Sequence, residues 1–170
     1  MALLLSFYLL LTGCQMTFYL NEDDGWGPSH RGVTALDKEL IFRQEALRKK
    51  YKAGNLSSYQ GLYETETVKL VIQNEGDTLY ITFFGTDDVT EIYYNMIHWQ
   101  EPYWTEVNSQ SAVHAGFNRP LQEAMAPVIA EMTLFLADNP DPASRNIYIL
   151  GHSAGGVHAV LCAYTLGQAF

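Results

Sequence analysis

Residues 147–161, IYILGHSAGGVHAVL, constrain the fold more than any other stretch of the chain. Residues 147–150 form a short uninterrupted apolar run, as expected of a strand covered on both faces. Gly151-His152-Ser153-Ala154-Gly155 follows at once, and residues 155–168 then read as a helix with small residues toward the strand. Gly-x-Ser-x-Gly alone is weak evidence, because about one chain in twenty of this size carries it by chance. Between a buried strand and a helix it means more. It predicts a sharp, strained turn that lifts the Ser153 hydroxyl above the sheet edge, where it can act as a nucleophile. Gly151 and Gly155 lack Cβ atoms, so strand and helix can close around that turn. The helix start aims backbone N–H groups and a positive dipole end at the place where negative charge develops in acyl transfer.

The chain around this turn has 170 residues, enough for one domain with a real core. Hydrophobic residues make up 48% and charged residues 17%, which favours folding over disorder. Net charge is −9, and Arg48-Lys49-Lys50 is the longest basic cluster, so nucleic acid is excluded as a natural partner. A helix is predicted over residues 34–51, with Leu36, Leu40, Leu47 and Tyr51 as its apolar stripe. Thr34 with Asp37 is a weak start signal, and Ala53-Gly54-Asn55 is the stop. Strands are predicted over residues 67–73 and 78–84, joined by the four-residue turn Asn74-Glu75-Gly76-Asp77. Residues 89–112 are rich in Tyr and Trp and carry no clear period. A second helix is expected over residues 119–137, with Pro120 in its first turn and Pro127 as a kink or as its true start. Hairpin, helix, buried strand, helix is the order of an α/β sheet with helices packed against it.

The N-terminus reads MALLLSFYLLLTGCQ. Its apolar run is too short to span a bilayer but fits the core of an export leader. Leu11-Thr12-Gly13-Cys14 resembles the bacterial lipobox. That resemblance implies a leader over residues 1–13 and lipid on Cys14, now the first mature residue. The product is then an envelope lipoprotein at a membrane surface, or a secreted protein. No Lys or Arg precedes Cys14, which departs from a leader's usual charge pattern. A hydrophobic strand or helix belonging to the domain itself is the alternative. Residues 14–33 mix acids, Gly, Pro and aromatics as a surface segment ahead of the domain at 34–170. With Cys14 lipidated no disulfide forms, and Cys162 is then a small buried hydrophobe on a helix.

Three blocks resemble the class 3, or fungal-type, lipases of the α/β-hydrolase superfamily. TLYITFFGTDD is similar to that family's strand ending in Phe-Arg-Gly-Ser/Thr. VHAGF matches its Val-His-x-Gly-Phe block, and IYILGHSAGG its strand ending in Gly-His-Ser-Leu-Gly-Gly. Their order and approximate spacing agree over residues 34–168. The resemblance implies an α/β-hydrolase fold and a lipase- or esterase-type serine hydrolase working through an acyl-enzyme. Ser153 is then the nucleophile. Thr86, by hydroxyl and backbone N–H, and the N–H of Ala154 are the oxyanion donors. Neither metal nor cofactor is implied, and no His-Glu-x-x-His spacing appears. Phe84 stands where the family has Arg, Ala154 replaces Leu, and Asn95 falls at a downstream Asn position. Triacylglycerol, phospholipid and small esters all remain open as substrates. Residues 93–104 read as core packing in preference to an acyl-binding wall or lid.

A serine nucleophile needs a base and an orienting carboxylate, in the chain order Ser, Asp or Glu, His. After Ser153 the chain holds His158 and no Asp or Glu. Five residues along a helix is about 500° of turn, so His158 points away from the turn and is rejected as the base. His152 and His114 read as structural, His30 and His98 as surface residues. The fold is therefore expected to be truncated after the helix that follows Ser153, with the acid and base beyond it. That would leave a long apolar sheet edge bare, and a chain that alone is poorly soluble and inactive. A non-catalytic envelope lipoprotein or gene remnant, and another hydrolase such as a thioesterase or peptidase, are the alternatives.

Overall fold

The computed structural model describes residues 5–11, 14–19, 35–85, 100–102 and 112–170. Six strands make the main sheet: β1 (Leu5–Leu11), β2 (Cys14–Tyr19), β3 (Leu62–Glu64), β4 (Lys69–Glu75), β5 (Thr78–Phe83) and β8 (Asn146–His152). Their spatial order is β2-β1-β8-β5-β4-β3. Strand β8 runs parallel to both of its neighbours, β1 and β5, while the remaining pairs are antiparallel. A separate two-stranded pair joins β6 (Gln100–Pro102) to β7 (Ala112–His114). Among the described residues the α-helices are α1 (Ala35–Lys52), α2 (Ala115–Asp138) and α3 (Ala154–Ala169).

Strand alternation decides the layering. Leu79, Ile81 and Phe83 of β5, Leu70 and Ile72 of β4, and Ile147 and Ile149 of β8 share one face. There they meet Leu121, Val128, Met132 and Phe135 of α2 and Ala159, Cys162, Ala163 and Leu166 of α3. The residues between them point the other way, toward α1. Tyr80, Tyr148 and Leu150 pack with Leu40, and Val71 and Phe84 pack with Leu47 and Tyr51. Each fully buried Leu, Ile or Phe contributes roughly 1.5–3 kcal/mol of burial, which is why the sheet is covered on both faces. Cys162 is buried and free, the small hydrophobe expected of it, and burial pushes its thiol pKa up.

Helix α1 ends as expected. Gly54 turns with φ +68°, and the N–H of Asn55 reaches back to the Lys50 carbonyl at 2.9 Å. Its buried face is Asp37, Leu40, Gln44 and Leu47, with Leu36 41% exposed. The expected stripe is therefore corrected at its first position, where a polar residue one place along turns inward. The hairpin is tighter than expected, because Glu75 pairs with Thr78 and only Gly76 and Asp77 form the turn. Arg43 of α1 is clamped there. It bonds Gln73 at 2.8 Å and Glu75, and lies 3.7 Å over the Tyr80 ring.

Helix α2 starts at Ala115 and continues through both Pro120 and Pro127, so Pro127 does not mark its start. The edge of β8 is not bare. Residues 5–11, read above as either leader or strand, lie against it as β1.

Candidate active site

Ser153 sits alone between β8 and α3. Its backbone has φ 56° and ψ −126°, the only positive φ outside glycine among the described residues. A non-glycine residue held there is strained, and such strain collects at functional sites. The side chain is exposed. Helix α3 begins at Ala154, and its first turn closes with the N–H of Gly156 donating to the Ser153 carbonyl at 2.9 Å. The N–H groups of Ala154 and Gly155 belong to that open first turn, beside the serine.

The turn is this tight because three glycines meet at it. A Cβ on Gly151 would lie 2.1 Å from the Gly155 carbonyl oxygen. A Cβ on Gly155 would lie 2.5 Å from the Phe84 carbonyl oxygen and 2.6 Å from that of Phe83. On Gly85 it would lie 2.8 Å from the His152 carbonyl oxygen and 3.1 Å from the Ser153 Cβ. The predicted site glycines 151 and 155 are thus brought together. Gly85 joins them, which sequence reasoning missed although its Gly-Thr block was in view. Thr86, the expected second oxyanion donor, lies outside the described residues, as do Asn95, His30 and His98. Gly85 brings the chain to the elbow one residue before Thr86. Phe84, at the position where the family has Arg, is 4% exposed and stacks on Tyr51 at 4.9 Å. An aromatic contact holds the end of β5 to α1 in place of a charge.

His114 and His158 are turned to packing against aromatic rings. His158 is 5% exposed, lies 6.1 Å from the Phe83 ring and 5.8 Å edge-on from Phe117, and neither ring nitrogen finds a partner. Burial lowers its pKa to about 4, so it is neutral near pH 7. It packs in the core and makes no bond to Ser153. His114 lies 4.8 Å from the Phe117 ring, with its Nδ1 buried and unpartnered. The Nδ1 of His152 lies 3.1 Å from where a Cβ on Gly85 would be, so this ring stands close to the chain just after β5. Among the described residues no group of three or more His, Cys, Asp or Glu side chains is placed to hold a metal ion.

The geometry agrees with what the chain is similar to. The solved structure of a fungal lipase in complex with an inhibitor, described as a basis for interfacial activation in lipases, superimposes with a TM-score of 0.62 at 20% identity. It is matched by 82% of this chain, which covers 58% of the lipase. The triacylglyceride lipase of Rhizomucor miehei matches with a TM-score of 0.61, 20% identity and the same coverages. At that identity the likeness shows the fold, an α/β-hydrolase sheet with its helices. No curated relative matches the sequence. The sequence profile of the class 3 lipases matches residues 80–169, more than half of the chain. With the elbow, the glycine junction and this match in hand, the chain belongs to the class 3 lipase family.

Proposed function

We propose that this protein is the nucleophile-bearing part of a lipase or esterase that cleaves carboxyl esters of lipids through an acyl-enzyme. One observation carries the reading: the exposed Ser153 held at φ 56° directly before the open N-terminus of α3. In the reaction the Ser153 Oγ bonds to the ester carbonyl carbon and gives up its proton to a base. The carbonyl oxygen takes the negative charge and accepts from the Ala154 N–H and, on this reading, from Thr86. Two donors so aimed lower the barrier by several kcal/mol. Collapse expels the alcohol, which takes a proton, and water then releases the acid from the serine.

Of the described imidazoles, His114 and His158 are engaged in aromatic packing, so neither is offered to Ser153 as a base. The 170-residue chain on its own is therefore expected to turn over esters very slowly. Labelling with a fluorophosphonate probe tests both statements. Ser153 should label, far more slowly than a serine supported by a full triad, and Ser153→Ala should not label at all. Labelling that persists in Ser153→Ala removes the assigned nucleophile. Rapid turnover of a short-chain ester that disappears in that variant overturns the claim of low activity.

A further inference from the structure

We propose that His158 is a positioning residue: its neutral imidazole holds the start of α2 against the elbow helix α3, and protonation of the ring releases that start while the main sheet stays folded. Three elements meet on this ring. From α3 it reaches Phe83, at the end of β5, with ring centroids 6.1 Å apart. It also reaches Phe117, in the first turn of α2, at 5.8 Å. His114, the last residue of β7, packs on Phe117 in turn at 4.8 Å. Gly85, two residues after Phe83, stands beside Ser153. The imidazole therefore lies between the strand end that abuts the elbow and the segment that opens α2.

The two sides of this contact are held differently. Helix α3 packs on β1, β5 and β8, three strands of the main sheet. The start of α2 follows β7, and among the described strands β7 pairs with β6 alone, outside that sheet. Pro120 has no N–H for the Gly116 carbonyl, so the opening turn of α2 lacks one bond to the rest of the helix. Beyond it Leu121, Met125 and Val128 anchor α2 in the core. The turn with Phe117 is thus the part that can leave α3 without breaking the main sheet.

The slot suits only the neutral ring. His158 is 5% exposed, no described residue bonds either nitrogen, and a phenyl ring has no lone pair for an imidazolium N–H. Strands β1, β5 and β8 and helix α3 carry no Asp, Glu, Lys or Arg. On α2, Arg119 and Glu123 are exposed, and Glu123 accepts from Thr67. The titratable groups on the ring's own side are His114, beyond Phe117, and Cys162, one turn along α3, whose buried thiol has its pKa pushed up. Tyr80 and Tyr148 face α1, as does Leu150, opposite which Tyr8 of β1 stands; His152 lies by Gly85. A proton on His158 meets no counter-charge there and gains water only if Phe117 moves away. Burial lowers the pKa to about 4, so the contact is closed near pH 7 and opens as pH falls toward 4.

NMR of the full chain tests this through contacts between rings. The His158 ring should titrate with a midpoint near 4. Its cross-relaxation with Phe117 should disappear at the same midpoint, while that with Phe83 and the native methyl signals of Val128 and Ile149 persist. In His158→Leu the contact of residue 158 with Phe117 should last over the whole range. Pro120→Ala gives the Gly116 carbonyl its donor back and should move the loss of the Phe117 contact to lower pH. Protonation of His158 with the Phe117 contact intact overturns the proposal, as does loss of both ring contacts together with the native methyl signals. Loss of the Phe117 contact in the leucine variant over the same range, or an unmoved midpoint in the alanine variant, overturns it as well. None of these readouts depends on whether Ser153 reacts.

Discussion

Gly76 and Gly151 both stand at strand ends of the same sheet, and they are glycine for opposite reasons. Gly76 turns the β4–β5 hairpin with φ +70°, and a Cβ there would meet nothing within 4 Å. Gly151 has ordinary backbone angles and no space, since its Cβ would lie 2.1 Å from a carbonyl oxygen. The hairpin end needs glycine for conformation, and a short polar residue can approximate that. The elbow end needs glycine for volume, and nothing else supplies it. There the unusual conformation falls instead on Ser153, a residue with a side chain. At the elbow, backbone packs directly on backbone, and the strain is placed where the reactive hydroxyl must stand.

The largest effects should come from filling that space. Gly151→Ala and Gly155→Ala are each expected to cost about 3 kcal/mol or more, because the nearest neighbours of the new methyl are backbone atoms that cannot swing away. Denaturant unfolding measures this, and a loss under about 1 kcal/mol would break the distinction drawn from Gly76. An effect of nearly that size should come from pH. His158 has a folded pKa of about 4 against about 6.5 unfolded, so the unfolded chain binds a proton that the folded chain refuses. Its contribution is intact above pH 6.5 and falls as pH drops toward 4, by about 3 kcal/mol in all. His158→Leu should flatten stability over that window. Unchanged pH dependence in the variant would show that the imidazole is not held neutral by burial.

Relief of strain should be smaller and of opposite sign. Ser153→Gly is expected to stabilise by about 1 kcal/mol while probe labelling disappears. Lower stability in that variant would mean that the serine is held without strain. The smallest effects belong to the hairpin. Gly76→Ala should cost about 1 kcal/mol and Gly76→Asn only a few tenths, read as a shift in midpoint. An asparagine there as costly as alanine at Gly151 would erase the contrast.

Periodicity made much of the fold legible, and its failures have identifiable causes. The 34–51 helix, the 78–84 strand and the strand–helix junction at Ser153 are all present within a residue or two. Counting apolar residues put Leu36 on the buried face of α1, but Asp37 and Gln44 go inside with Leu40 and Leu47. A polar residue is buried when the tertiary surroundings offer it a partner, and Asp37 has one. Strand β3 was not visible, because a three-residue LYE segment is a strand only through its pairing with β4. Residues 2–11 were ambiguous in kind, since an apolar run serves a leader or a strand equally well until something lies beside it.

By itself the sequence determined the elbow: an apolar strand, a Gly-x-Ser-x-Gly turn and a helix, all local in the chain and set by sterics over a few residues. It also named Ser153 and the family. Only the tertiary structure decided what meets at that point. Gly85 is distant from Ser153 in sequence, yet the parallel pairing of β5 with β8 sets it against the serine Cβ. The same long-range pairing puts β1 on the far side of β8 and turns His158 into the core between Phe83 and Phe117. Residue spacing carries local geometry, whereas contacts between remote segments depend on which strands adjoin and which faces are buried.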